Sequence, residues 1–292
     1  MKAEQTAPNR DYSTISPSAR GLLMLKGLTD IPFALEAAKL ISEPENYQRD
    51  FSIKDVGFWA RVLHFESRYK SINQLLATVP VKNIMELSSG FSFRGLNTVI
   101  NDDVHYIDTD LPEVIASKLN LLTALLTHNA APKGILETLP LNALHEDDFA
   151  SITDRFAQGK VVIVNEGLLV YLDTQEKRKL CQNIRAVLQK RGGYWITADI
   201  YVKTEKKFQN ISPDDKLQQF FKEHRIEENK FNSFAEAKEF FKSEGFVIDK
   251  EATADHQASG SLKYLLASAS NEQLEGLHKA GNIRASWRLQ LA

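Results

Sequence analysis

The sequence predicts an α/β protein in which helices cover both faces of a mostly parallel sheet. Three observations carry that expectation. From Val81 onward, short apolar runs alternate with stretches of helical periodicity. Residues 160–166 include a β-branched run, Val161-Val162-Ile163-Val164, of the kind buried on both faces of a parallel sheet. Residues 81–96 open as an apolar run, break at Ser88, Ser89 and Gly90, and resume with Leu96, Val99 and Ile100 at helical spacing. That is the pattern of a buried strand turning sharply into a helix.

Taken in order, residues 1–17 are polar and predict a flexible N-terminus. Residues 18–78 predict a helical cap. Leu22, Leu23, Leu25, Leu28, Leu35 and Leu40 suggest two short helices joined near Asp30-Ile31-Pro32, because the residue before a proline is biased away from helix. A further helix is expected over 56–78, with Trp59, Val62, Tyr69, Ile72 and Leu75 on its apolar faces. Residues 79–270 predict the core, with strands at 81–87, 104–110, 135–139, 160–166 and 194–199. A helix should begin at Pro112, which suits a first turn, and another should run over 174–190 and end at Gly192-Gly193. Residues 200–243 interrupt the alternation with Leu217, Phe220 and Phe221, then Phe231, Phe234, Phe240 and Phe241. They are read either as packing for an insertion or as a lid over a pocket. Residues 246–248 and 262–267 look like two closing strands, and 271–292 like a C-terminal tail.

A chain of 292 residues with 43% hydrophobic and 25% charged residues reads as soluble and globular, without an apolar run fit to span a bilayer. The formal net charge of −2 gives no reason to expect nucleic acid or an anionic membrane as partner. The single cysteine, Cys181, lies in a helical pattern with Leu180, Ile184 and Leu188 and is expected to be a packed thiol. The polar N-terminus shows no signal peptide, so the cytoplasm is the expected compartment. The seven histidines are scattered singly and predict no metal site.

The strand-turn-helix at 81–96 is followed about 20 residues on by a second strand ending in Asp108 and Asp110, where a nucleotide fold places its ribose ligand. The small residues allow close backbone approach, and the helix N-terminus adds unpaired N–H groups. The turn has Gly90 and Gly95 but not the three glycines of a dinucleotide site, and no glycine-flanked Lys-Ser/Thr follows a strand. Glu86, at the end of the first strand, would repel a pyrophosphate but suit a cation. A ligand with ribose, adenine and positively charged sulfonium and ammonium groups fits, namely S-adenosyl-L-methionine. An NAD-dependent oxidoreductase and a non-catalytic binder of the same cofactor are the alternatives.

Four segments also carry a family resemblance: Arg68-Tyr69-Lys70-Ser71-Ile72-Asn73, Glu86-Leu87-Ser88-Ser89-Gly90, Asp108-Thr109-Asp110-Leu111-Pro112 and Glu166-Gly167-Leu168-Leu169-Val170-Tyr171-Leu172. Together they resemble the leucine carboxyl methyltransferase family, which includes polyketide O-methyltransferases. The resemblance implies a Rossmann-like S-adenosylmethionine-dependent methyltransferase fold: a mostly parallel seven-stranded sheet with an N-terminal helical cap and a helical lid insertion. It implies O-methylation of a carboxylate or hydroxyl on a small molecule, ahead of a protein C-terminal carboxylate. Two departures stand out. Ser88 and Ser89 occupy small positions where the family more often has Gly-Ala, so the loop should differ or hold strain, since serine disfavours positive φ. Asn73 replaces the acid that ends the family's arginine motif.

The roles that follow are expectations. Glu86 contacts the methionine ammonium indirectly or directly, Ser88 and Gly90 form the close loop, and Asp110 accepts hydrogen bonds from the ribose, with Asp108 as the competing acid. Asn142 and Ala143 sit where the resemblance places adenine contacts. Arg68 neutralises the methionine carboxylate, with Arg20 a weaker candidate. Glu166 orients the cofactor's amino group or the acceptor, and Tyr171 borders the methyl site. Tyr201, His224 and Asp199 are candidate general bases should the acceptor need one.

Overall fold

A computed structural model describes residues 16–42, 47–52, 54–127, 131–203, 215–253 and 259–292. The segment expected to be a flexible N-terminus therefore falls, but for its last two residues, outside the described chain, as does 204–214 of the Phe-rich insertion.

Seven strands form one sheet: β1 (Asn83–Leu87), β2 (His105–Asp110), β3 (Ile135–Pro140), β4 (Val161–Asn165), β5 (Gly193–Tyr201), β6 (Phe246–Glu251) and β7 (Arg284–Leu291). Their spatial order is β3-β2-β1-β4-β5-β7-β6. The first five run parallel to one another, whereas β7 runs antiparallel to both β5 and β6. The sheet is mixed and mostly parallel. Its order reverses between β1 and β4, and in open α/β sheets ligands bind in the crevice at such a switch point, beyond the carboxyl ends of the strands.

Alternation along the strands sorts side chains between two buried faces. Met85, Leu87, Ile163 and Trp195 join Leu180, Ile184 and Leu188 of α7 (Thr174–Arg191) and Phe241 of α10 (Phe234–Ser243). Ile84, Tyr106, Val162, Val164 and Ile196 face the other way, against Ile72 and Leu75 of α3 (Val56–Leu76) and Val99 of α4 (Arg94–Asn101). Helix boundaries follow local chemistry. Asp55 caps α3 by accepting the Phe58 amide, and Asp173 and Glu176 form a capping box that starts α7. Gly192, at φ 69°, ends α7, and Pro112 occupies the first turn of α5 (Pro112–Leu126). Gly95 of α4 is required by proximity, since a Cβ there would lie 2.7 Å from Tyr106 Cδ1.

Before the sheet come α1 (Ser16–Lys26), α2 (Ala34–Ile41) and α3. Two short helices and a long one are what the leucine spacing and Pro32 predicted. Helix α3 also packs directly on the sheet, so the second half of the expected cap serves as a layer of the core.

Of the two expected closing strands, 246–248 lies in β6 and the second needs correction. Residues 262–267 fall in helix α11 (Leu262–Ser268), and the seventh strand lies in the stretch read as a tail. In α11 Leu265 is buried while its neighbour Leu266 is exposed, and no β-branched residue favours a strand. Strand β7 is concealed in sequence because polar groups on it are buried with partners. Trp287 packs on Phe241, while Arg288 pairs with Asp249 and donates to Thr78 Oγ1 at 2.6 Å. Residues 271–280 form a further helix, α12 (Asn271–Ala280).

The insertion after β5 divides. Helix α8 (Asp215–Glu223) brings Phe220 and Phe221 to the central cavity, whereas Phe231, Phe240 and Phe241 pack against the core. The Leu217 side chain lies outside the described residues.

Candidate functional site

A cavity of about 820 Å³ opens at the carboxyl ends of β1, β2 and β4 and reaches up to α1, α3 and α8. Its volume is in the range of sites for small molecules and cofactors, ~300–1,000 Å³.

The loop after β1 forms its floor. Ser88 has φ 49° and Gly90 φ 51°, both left-handed. Glycine takes this conformation freely, but serine does so only with strain. The departure from the family's small residues is thus seated at a strained position. Ser88, Ser89, Gly90, Asp110, Asn142 and Ala143 all line the cavity. The Asp110 carboxylate accepts the Gly90 amide on Oδ2 and the Leu111 amide on Oδ1, each at 2.7 Å. These bonds tie the tip of β2 to the loop after β1 and leave each oxygen a free lone pair for a ligand hydroxyl. Burial pushes the Asp110 pKa up from the ordinary carboxylate value. Asn142 is shaped by its own turn, its Oδ1 accepting the Leu144 amide at 3.0 Å.

Glu86 and Asp108 take a different place. They stand opposite each other in the β1–β2 register, are both fully buried, and are not among the cavity-lining residues. Glu86 Oε1 pairs with Arg94, and Oε2 accepts the Tyr106 hydroxyl at 2.6 Å. Asp108 Oδ2 lies 2.8 Å from Lys118 Nζ, whose ammonium also donates to Ser89 Oγ at 2.9 Å. Desolvation pushes Asp108 up to about 6, against the downward pull of Lys118. Of the indirect or direct ammonium contact expected of Glu86, this geometry leaves the indirect one, because the carboxylate is buried beneath the cavity floor and already paired with Arg94 and Tyr106. Asp108 is likewise a support beneath the floor rather than a group facing a ligand.

Glu166, immediately after β4, faces the cavity and is held by three cations. Its Oε1 accepts from Lys26 Nζ at 2.7 Å and from Arg68 Nε at 3.3 Å, and its Oε2 from Arg94 Nη2 at 2.6 Å. Burial alone would raise its pKa, but Lys26, Arg68 and Arg94 outweigh it and hold the carboxyl well below its usual range. Burial pushes the Lys26 ammonium down. Lys26, Arg68 and Arg94 against Glu86 and Glu166 leave one positive charge in excess within the cluster.

Lys26 and Arg94, which hold Glu166 in the candidate site, are residues the sequence reading missed. Both left a signal. Lys26 ends an otherwise apolar run, Leu22-Leu23-Met24-Leu25, and Arg94 opens a helix, where the helix dipole disfavours a cation. Arg20 is exposed and does not line the cavity.

Tyr171 lines the cavity, its hydroxyl 3.5 Å from Ser18 Oγ and its ring edge-on to Phe220 and His224. None of the three candidate bases lines the cavity. Asp199 is occupied by the backbone of the segment after β4, accepting the Gly167 amide on Oδ1 and the Gly167 and Leu168 amides on Oδ2, each at 2.7–2.8 Å. Tyr201 bonds His64 Nε2 at 2.7 Å and accepts from Arg68 Nη1 at 3.4 Å. His224 is buried beside Tyr171 and Phe220. Among the described residues no cluster of His, Cys, Asp and Glu could hold a metal, and no helix is long and apolar enough to cross a membrane.

No family model matches the sequence, and no curated protein matches it. Among solved structures the chain is similar to the mitomycin 7-O-methyltransferase MmcR, with 10% identity, a TM-score of 0.46, and coverage of 80% of this chain and 57% of that one. It is similar to LepI in complex with SAM at 12% identity and a TM-score of 0.43, over 89% of this chain and 53% of that one. Magnesium protoporphyrin IX methyltransferase ChlM from Synechocystis PCC 6803 with bound SAH shares 10% identity at a TM-score of 0.48, over 90% of this chain and 96% of that one. The chain thus spans a little over half the length of the first two. The site stands on its own geometry.

Proposed function

We propose that this protein is an S-adenosylmethionine-dependent methyltransferase acting on a carboxylate or hydroxyl oxygen of a small molecule, and that it is a relative of the leucine carboxyl methyltransferase family. The observation that carries the reading is Asp110: a carboxylate at the tip of β2, facing the cavity at the sheet's switch point and oriented by the Gly90 and Leu111 amides. A carboxylate so placed suits vicinal ribose hydroxyls.

The remaining residues fit the same ligand. Gly90 and the strained Ser88 let backbone approach it closely, and Asn142 and Ala143 border the space beside Asp110 for the adenine. The excess positive charge around Lys26 and Arg68 suits the amino-acid carboxylate. Asp110 and Glu166 are the two acids among the described cavity-lining residues, and Glu166, already paired with Lys26, Arg68 and Arg94, holds those cations in place for that carboxylate rather than replacing Glu86 as counter-ion. Tyr171 then flanks the acceptor. S-adenosylmethionine supplies an electrophilic methyl group. The protein's own contribution is to hold the acceptor beside it, worth ~7–11 kcal/mol for well-oriented partners, and to exclude water. With Asp199 and Tyr201 committed elsewhere, a carboxylate acceptor, which needs no base, suits the site best.

Thermal unfolding with S-adenosylhomocysteine and with NAD tests the cofactor. At ~100 times its dissociation constant a native-state ligand adds ~2.7 kcal/mol. A shift with S-adenosylhomocysteine and none with NAD is expected, and the reverse refutes the reading. Transfer of labelled methyl groups to a panel of carboxylic acids and phenols separates an enzyme from a non-catalytic binder.

A further inference from the structure

Arg61 is the cation in the cavity that the charge cluster leaves over. It lies on α3 two turns before Arg68, ~10 Å along the helix axis at 1.5 Å per residue. Like Arg68 it lines the cavity, but no hydrogen bond, ion pair or ring contact engages it among the described residues, whereas Lys26 and Arg68 are both paired to Glu166. Phe65 follows it by one turn on α3, and Leu22 and Leu25 of α1 and Phe220 and Phe221 of α8 line the same cavity. Arg61 is half-buried, so its guanidinium, without a partner among the described residues, meets both solvent and the cavity. It is a good recognition element for a ligand that brings both an apolar body and an anion.

We infer that the methyl acceptor is an amphipathic organic anion, its apolar body lying among these leucines and phenylalanines and its carboxylate held by Arg61. This rests on the methyltransferase reading and names the substrate class for the same site. A carboxylate forked by a guanidinium has its lone pairs engaged and is a weak nucleophile. The Arg61-bound group is therefore an anchor, and the oxygen that receives the methyl group belongs to a second carboxylate of the same molecule, nearer Tyr171.

The test uses decanoate and decanol as probes, with binding measured by calorimetry on the full chain, with and without S-adenosylhomocysteine. The wild type should prefer decanoate by about tenfold, one charge-assisted contact at the low end of its range. Added salt should weaken decanoate but not decanol. In Arg61→Gln the preference should vanish while decanol binding stays, and Arg61→Lys should recover part of it. Equal affinity of the wild type for the two probes overturns the proposal. So does a preference that survives in Arg61→Gln at an unchanged unfolding midpoint, which would assign the anion to Lys26 or Arg68. Failure of S-adenosylhomocysteine to bind, with the decanoate preference intact, would refute the methyltransferase reading and leave an anion-binding chamber.

Discussion

Four acids stand on one face of the sheet, and they divide into two pairs by depth. Glu86 and Asp108 are opposed in register, one residue inside the end of β1 and two inside the end of β2, and each is closed off by a cation from the helix that follows its strand, Arg94 of α4 and Lys118 of α5. Asp110 and Glu166 come at the tips, two residues beyond Asp108 and one beyond the end of β4, and both face the cavity. Parity is the same throughout, with Ile84, Tyr106, Val162 and Val164 on that same buried face. Two residues of strand, ~6.6 Å at the usual rise, separate an acid that stabilises the fold from one that can meet a ligand.

Breaking the inner pair should have the largest effect. Arg94→Met leaves Glu86 with the Tyr106 hydroxyl as its remaining side-chain partner and takes one of three cations from Glu166. Stranding a buried charge costs ~3–5 kcal/mol, so chemical denaturation should show a loss of that size. A loss below about 1 kcal/mol, of the order of an exposed pair, would mean Glu86 is not sealed in the core.

The pH dependence of stability gives a smaller effect. Asp108, raised to about 6 by burial from its ordinary value of 3.8, binds its proton more tightly folded than unfolded. The stability it contributes is full below the unfolded value and is lost as pH rises between these two values. The wild type minus Asp108→Asn difference in unfolding free energy should therefore fall with rising pH in that window, by on the order of 3 kcal/mol. A rising difference would show that Lys118 governs and that Asp108 is held ionised.

The smallest effect sharpens the description of the crevice floor. Ser88→Gly relieves a left-handed serine and should stabilise by about 1 kcal/mol in denaturant titrations. No gain would mean that the Ser88 side chain repays the strain through contacts of its own.

Much of the sheet was legible because parallel strands buried on two faces leave nearly continuous apolar runs, as in 161–164, and because prolines and glycines mark the helix ends. Strand β7 escaped because burial of Arg288 and Ser286 depends on Asp249, Thr78 and Ser71, residues from three other segments. The site shows the same boundary. That acids cluster at strand ends is local information, and Asp110 and Glu166 could be picked out from it. Which acid is neutralised depends on where Arg94 and Lys26 arrive from α4 and α1, and no spacing rule along one strand records that. The strain at Ser88, by contrast, follows from a single residue's backbone chemistry and was foreseeable from the loop's composition.

The central claim is that the strand-tip acid, not the inner one, holds the nucleoside. Calorimetric titration of S-adenosylhomocysteine into the wild type and Asp110→Ala tests it most directly, with each protein's unfolding midpoint measured alongside. Loss of hydrogen bonds to a charged acceptor predicts binding weaker by about 10- to 100-fold in a protein that still folds cooperatively. Equal affinity in the two proteins, or no binding to the wild type, would contradict the account.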